Sequence, residues 1–456
     1  MNILFFAVDT LRADHLGCYG YARDTSPTLD ALAGEGIRFE NAVTNTAHTG
    51  PTFTTIYTGQ HPFTHGIVTT ACTDPNVHDQ RLDDTTPTLA EVLRKGGRLT
   101  AAFDNLLVWP THPAHFARGY DYYVRTLDPK RSFCAAVLAE QINERLLPWI
   151  DYAAAKHRPF FLLVHYWDPH QPYNQPEPYR SWHSGKPGHE EFAAFGARPY
   201  TPRWGWSDRL TPRSKEWIDL YDGEVTYVDA QVRRVLDALK KAGLYDETAI
   251  FVTADHGEDF EEHDAPFEHR QPYESTVHVP LIVKPSRDWP AAAPARVAPQ
   301  VAHIDLMPTL LELAGCKPPE KMDGRSWLPL LAQPNQTFHD YVYISGGAIA
   351  QRGRWRAPEL AVRTDTAKYV RRTRVWLEPT HTVQNTHLLC APPWRWDKER
   401  QFQERIDFFN SLPAEELYDL AQDPCETNNI LPARPDLARE MRDALQGYVA
   451  TNPERA

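Results

Sequence analysis

Long apolar runs are missing from this chain. No stretch approaches the about 20 consecutive apolar residues needed to cross a bilayer. Met1 leads straight into a short apolar segment, with no basic stretch and cleavage site of the kind a leader carries. The expectations are therefore no membrane anchor and a cytoplasmic location. Cysteine is sparse: Cys18, Cys72, Cys134, Cys316, Cys390 and Cys425 lack zinc-ligand or disulfide-frame spacing, so free thiols are expected. Basic residues are not in excess either. With 48 Lys and Arg against 60 Asp and Glu, the formal charge is −12, the wrong sign for a general nucleic-acid binder. Internal repeats and low-complexity tracts are absent too. At 456 residues the chain exceeds what one core ordinarily holds, so a large domain with a smaller appended one is expected.

What is present starts at the first strand. Ile3, Leu4, Phe5, Phe6, Ala7 and Val8 form the short apolar run of a strand buried on both faces, and the run ends on the carboxylate of Asp9. A second run, Ala249 to Ala254, ends in the same way on Asp255-His256. In open α/β sheets ligands bind at the carboxyl ends of strands, so groups set just past two buried strands can converge on one cation. The same aspartates can also serve as caps of the helices that follow. Between the two runs lies Ala47-His48-Thr49-Gly50-Pro51-Thr52-Phe53. There Thr49 is a candidate nucleophile, or the cap of a helix opening near Pro51, and the two roles are compatible because a helix N-terminus also stabilises an anion.

Longer motifs extend the pattern. Val8-Asp9-Thr10-Leu11-Arg12-Ala13-Asp14-His15-Leu16-Gly17-Cys18-Tyr19-Gly20 resembles the opening of the sulfatase-like branch of the alkaline phosphatase superfamily. Tyr57-Thr58-Gly59-Gln60-His61-Pro62, His165-Tyr166-Trp167-Asp168-Pro169-His170, Asp255-His256-Gly257-Glu258, Tyr273-Glu274-Ser275 and His303-Ile304-Asp305 continue it in order, as does the late Glu416-Leu417-Tyr418-Asp419-Leu420. The resemblance implies an α/β fold with an alkaline phosphatase-like, mostly parallel sheet sandwiched by helices and a smaller C-terminal α+β subdomain. It also implies one divalent ion held by Asp9, Thr49, Asp255 and His256.

The departures from the family pattern are informative. Sulfatases of this family carry Cys or Ser, any residue, Pro, any residue, Arg, and oxidise the first residue to formylglycine. Here those positions read Thr49, Gly50, Pro51, Thr52 and Phe53. Oxidising Thr would give a ketone, and Phe53 removes the cation. Thr is, however, the nucleophile of phosphodiesterases and phospho-transferring members of the superfamily, where a metal ion lowers the hydroxyl pKa. The reading is a hydrolase of phosphate diesters or phosphonate monoesters working through a phospho-threonine. The alternatives are a sulfatase-like sulfuric ester hydrolase or a transferase to an alcohol acceptor. Thr10 stands where the family has a second aspartate, which shifts the metal preference from calcium towards manganese or zinc.

By the same resemblance, His170 aligns with a histidine that contacts the leaving oxygen, and His269 with a residue that touches the anionic oxygens; both are taken as catalytic. His263 and Asn105 are candidate substrate-binding groups, Asn105 standing where sulfatases place a lysine. His165 and Asp168 belong to a pool from which a second ion could draw ligands, but no Asp-x-x-x-His signature resembles the usual second site, and one ion is favoured. The partner expected is a small-molecule phosphate, phosphonate or sulfate ester, with a homo-oligomer left open.

Alternating strand and helix signals run from residue 1 to about 330 and short strand signals follow from about 340, and with them the resemblance implies a catalytic domain at 1–335 and a C-terminal subdomain at 336–456. Helices are expected over Pro27–Ala33, Pro87–Lys95, Asp222–Leu239 and Pro435–Tyr448, and strands over Pro159–Val164, Tyr341–Ser345, Leu360–Arg363 and Lys368–Arg371. Residues 174–214, with Trp182, Trp204 and Trp206, read as an inserted lid or binding loop. The aromatic and basic stretch Trp376–Phe409 is a second insertion.

Overall fold

A computed structural model describes residues 1–68, 82–104, 114–126, 137–170, 173–183, 212–260, 271–347, 358–374 and 409–450. It also describes the strands Ile349–Gln351 and Arg354–Arg356 and a few single residues that include Leu106, Glu262, His263 and His269. An eight-stranded sheet runs in the order Arg296–Val297, Ile37–Phe39, Leu281–Lys284, Thr248–Ala254, Asn2–Val8, Phe160–Tyr166, Leu99–Phe103, Tyr122–Val124. The last five are mutually parallel; Leu281–Lys284 is antiparallel to both its neighbours. Apolar runs with few polar interruptions are what a parallel sheet covered on both faces requires, and every residue of the three central strands is buried. This is the expected α/β class, with a mostly parallel sheet and helices.

Helices cover the sheet. The expected segment Asp222–Leu239 lies inside a longer helix, Pro212–Lys241, and Val225, Val228, Val232, Val235, Leu236 and Leu239 are all buried. The helix expected from Pro87 begins instead at Leu89. Thr88 is its cap: the Glu91 carboxylate accepts the Thr88 N–H at 2.8 Å and the Thr88 hydroxyl accepts the Glu91 N–H at 3.4 Å. Helix Ala139–Lys156, which carries Pro148 in its interior, was not among the expected elements. Among the described residues no helix is long and apolar enough to cross a membrane, and Cys18, Cys316 and Cys425 are free thiols.

The C-terminal part forms a four-stranded antiparallel sheet in the order Val342–Ser345, Glu359–Arg363, Ala367–Arg372, Glu415–Asp419, packed under helix Pro435–Ala450. Three of these strands follow the expected segments, and Glu415–Asp419 supplies the fourth. Buried ion pairs join this sheet to the catalytic part. Glu274 accepts from Arg363 at 3.0 and 3.1 Å and from Lys368 at 3.0 Å, and Lys368 also reaches Glu426 at 2.7 Å. Most of the 174–214 segment, with Trp204 and Trp206, lies outside the described residues, as does nearly all of 376–409; Trp182 stacks on Tyr179 with ring centroids 6.0 Å apart.

Candidate functional site

Parallel register sets the site. Val8 pairs with Ala254 across the two central strands, so Asp9 and Asp255 leave the sheet side by side. The chain then turns sharply at Thr10, whose φ of 56° is unusual for a β-branched residue and costs about 1–2 kcal/mol. Fixed donors hold the turn. The Thr10 N–H donates to Asp255 Oδ1 at 3.1 Å, the His256 N–H to the same oxygen at 2.8 Å, and the Tyr221 hydroxyl to the Thr10 carbonyl at 2.8 Å. Asp255 Oδ1 is thereby occupied, whereas Asp255 Oδ2 and both oxygens of Asp9 are buried with no hydrogen-bond partner.

His256 completes the cluster. Its Nδ1 lies 3.0 Å from the Gly257 carbonyl, which assigns the proton to that nitrogen and leaves the Nε2 lone pair facing inward. Nε2 is 3.3 Å from Asp255 Oδ2, 4.0 Å from Asp9 Oδ1 and 3.2 Å from Thr49 Oγ1. One ligand atom from each of Asp9, Asp255 and His256 lies within 4.8 Å of the others. Two buried carboxylates with three unpaired oxygens are costly without a cation. Burial and the neighbouring Asp255 charge push the Asp9 carboxyl up to about 6. Two carboxylates, an imidazole nitrogen and a hydroxyl fit a divalent ion.

Thr49 is the first residue of helix Thr49–Thr58, with His48 in the preceding extended position. The helix thus opens at Thr49 rather than near Pro51, and Thr49 lies in its first turn instead of capping it. Its hydroxyl is free of the capping role and meets His256, and the helix N-terminus adds a positive field. Phe53, one turn on, is fully buried, and its ring packs against His165 at 4.5 Å.

The other candidates divide. His269 stacks on His256 with centroids 4.3 Å apart and places Nδ1 3.2 Å from Glu258 Oε1. His170 meets His269 edge-on at 5.2 Å, so both lie beside the cluster. His263 is engaged elsewhere: Nδ1 bonds Asp259 Oδ2 at 2.8 Å, Nε2 bonds the Cys425 carbonyl at 3.1 Å, and the ring stacks on Tyr273. With both nitrogens committed, it ties the C-terminal part to the catalytic part. Asn105 lies outside the described residues.

Residues 1–316 match the family described as Sulfatase. This chain belongs to the sulfatase family. It is 25% identical over 402 residues to an arylsulfatase of Clostridium perfringens, covering 75% of this chain and 80% of that protein. It is also 25% identical over 412 residues to the multifunctional alkaline phosphatase superfamily protein PehA of Trinickia caryophylli, covering 73% and 77%. Among solved structures, the phosphonate monoester hydrolase of Agrobacterium radiobacter aligns with a TM-score of 0.69 at 20% identity, covering 99% of this chain and 96% of that one.

Within this sulfatase-family frame Gly257 has a steric reason. A Cβ there would stand 2.1 Å from the Ser275 carbonyl oxygen, while the Gly257 N–H donates to the Thr276 carbonyl at 2.8 Å. Gly257→Ala is expected to cost about 1–3 kcal/mol, the range for forcing atoms into a packed site. Urea denaturation measures it; unchanged stability would mean that the Ser275 backbone yields freely. On sequence alone Asp104 has no role and His165 only a place among possible ligands of a second ion, yet in the folded protein Asp104 holds His165 and His165 faces Asp9. His165 Nδ1 is 2.6 Å from Asp104 Oδ1, and Nε2 is 3.7 Å from Asp9 Oδ2. Burial works against protonation of this ring, but the Asp104 and Asp9 carboxylates outweigh it and push it up to about 10. A strand-end His with an Asp at the end of the adjoining strand was the available signal.

Proposed function

We propose that this protein is a divalent-metal-dependent hydrolase of phosphate diesters or phosphonate monoesters in which Thr49 is the nucleophile. The observation that carries this reading is Thr49 Oγ1 at a helix N-terminus, 3.2 Å from His256 Nε2 and beside the three oxygens of Asp9 and Asp255 that have no hydrogen-bond partner. Bound by Asp9, Asp255, His256 and Thr49, a divalent ion would lower the hydroxyl pKa and take up charge on a phosphoryl oxygen. With its proton lost to solvent, the Thr49 oxygen would attack phosphorus in line, the Oγ1–P bond forming as the P–O bond to the ester oxygen breaks. His170 donates a proton to that oxygen, and in the second step takes one from the water that cleaves the phospho-threonine. His269, held by Glu258, borders the same site and faces the anionic oxygens.

Thr10 in place of a further carboxylate favours manganese or zinc over calcium. Solved phosphonate monoester hydrolases with this fold support the substrate class; the arylsulfatase relatives keep sulfate in the test. The test compares matched aryl esters: phosphate diester, phosphonate monoester, phosphate monoester and sulfate. The diester or phosphonate is expected to give the highest kcat/KM, and preference for sulfate would overturn the reading. His170→Ala tests the acid. Alkyl esters, with poor leaving groups, are expected to lose about 10²–10⁴-fold. Nitrophenyl esters, whose leaving group needs no proton, are expected to lose under about tenfold. Equal losses would remove His170 from that role.

A further inference from the structure

The two oxygens of Asp9 face two different imidazoles. Oδ1 looks towards His256 Nε2 at 4.0 Å, and Oδ2 towards His165 Nε2 at 3.7 Å. His165 lies in strand Phe160–Tyr166 opposite Ala7, and Asp104 follows strand Leu99–Phe103 on the next strand over. Asp104 is itself fixed: Oδ1 accepts the Leu106 N–H at 3.1 Å, and Oδ2 accepts the Tyr123 hydroxyl. Aromatic rings hold the His165 ring in place, Phe53 at 4.5 Å and Trp167 at 4.7 Å. Asp104, His165 and Phe53 are all buried to within 1% of full exclusion.

A carboxylate and an imidazole at the heart of an aromatic core are expensive to desolvate, and an apolar pair of the same shape would pack at least as well there. The retained polar groups also have a defined direction. Asp104 takes the Nδ1 proton, which sets the ring orientation and aims Nε2 at Asp9. Partners one step out from a metal ligand act in this way, fixing the ligand's orientation.

We propose that Asp104 and His165 are a positioning pair for Asp9, holding Oδ2 so that Oδ1 is presented to the ion together with Asp255 and His256. The inference rests on the metal-centre reading above. His165 is not itself one of the ligands: among the described residues, the atoms that close within 4.8 Å come from Asp9, Asp255 and His256.

The test is the affinity of the full-length, metal-stripped protein for manganese, measured by titration calorimetry and by the electron paramagnetic resonance of the free ion. His165→Gln is expected to weaken binding about 10–100-fold, the range for losing such a partner. Asp104→Asn keeps an oxygen for the Nδ1 proton, and is expected to weaken it less. The double variant should bind no worse than His165→Gln alone, because both residues act through Asp9. A role confined to packing would lower the melting temperature of the metal-free variants and leave their affinity unchanged well below it. Affinities equal to wild type in both single variants would overturn the pair's role while leaving the metal centre standing. Failure of the wild-type protein to bind either manganese or, in a parallel calorimetric titration, zinc overturns the centre itself, and is read without any variant. If His165→Gln does not fold, Asp104→Asn decides the matter: a weaker affinity supports the pair, and an unchanged one overturns it.

Discussion

Thr49→Ala is expected to lower kcat by at least about 10⁴-fold on an activated aryl phosphonate, the scale on which removing a nucleophile acts. The variant should remain folded. Alanine is the best helix former, Thr49 occupies the first position of helix Thr49–Thr58, and its hydroxyl's hydrogen bond to His256 Nε2 carries about 1 kcal/mol. A shift of no more than about 3 °C in Tm follows. Asp9, Asp255 and His256 still surround the ion, so its affinity should fall far less than kcat. Thr49→Ser restores the hydroxyl and should recover measurable turnover. Wild-type-like activity in Thr49→Ala would end the nucleophile assignment. A metal-free, unfolded variant would be recognised by its melting curve and would not be scored.

Stripping the ion should have an effect of similar size. Without the ion, three oxygens of Asp9 and Asp255 are left with no hydrogen-bond partner, and the Lewis acid proposed to lower the Thr49 hydroxyl pKa is gone. Chelation is expected to abolish turnover, and manganese or zinc to restore it better than calcium; full activity after exhaustive chelation would contradict the proposed chemistry. The pH dependence has a defined sign. In the metal-free protein the Asp9 carboxyl, raised by burial and by Asp255, sits at about 6, above its ordinary value of 3.8. Below about pH 6 the proton competes with the ion, and affinity should fall by up to about tenfold per pH unit. For folding, a carboxyl raised in the native state binds more protons native than unfolded between these two values. Its contribution to the stability of the metal-free protein is therefore lost as pH rises through that window. Added ion should consequently raise Tm more at pH 7.5 than at pH 5, and equal shifts at the two values would rule out Asp9 as the competing group.

Several parts of this protein were legible in the chain. The apolar runs ending in Asp9 and Asp255 need only a sheet buried on both faces to become neighbouring strands, and the parallel register then sets the two carboxylates together. Helices with a one-sided apolar stripe, such as the one containing Val225 to Leu239, were similarly marked. Helix starts were less legible. Leu89 follows a reciprocal Thr88–Glu91 cap that outweighs the favoured proline position two residues earlier, and Thr49 takes a helical place because His48 supplies the extended residue before it.

Residue type and order alone therefore determined the α/β class and the family, and they singled out Asp9, Thr49, Asp255 and His256 as one candidate group, because strand ends and motifs are local properties of the chain. Long-range approach decided the rest. His263 and His269 differ by six positions in sequence, yet one is locked between Asp259 and Cys425 while the other stacks on His256. Asp104 and His165 stand 61 positions apart in sequence and 2.6 Å apart in space. No periodicity encodes such a meeting: it arises only when neighbouring strands settle into register and bring their side chains to one edge of the sheet.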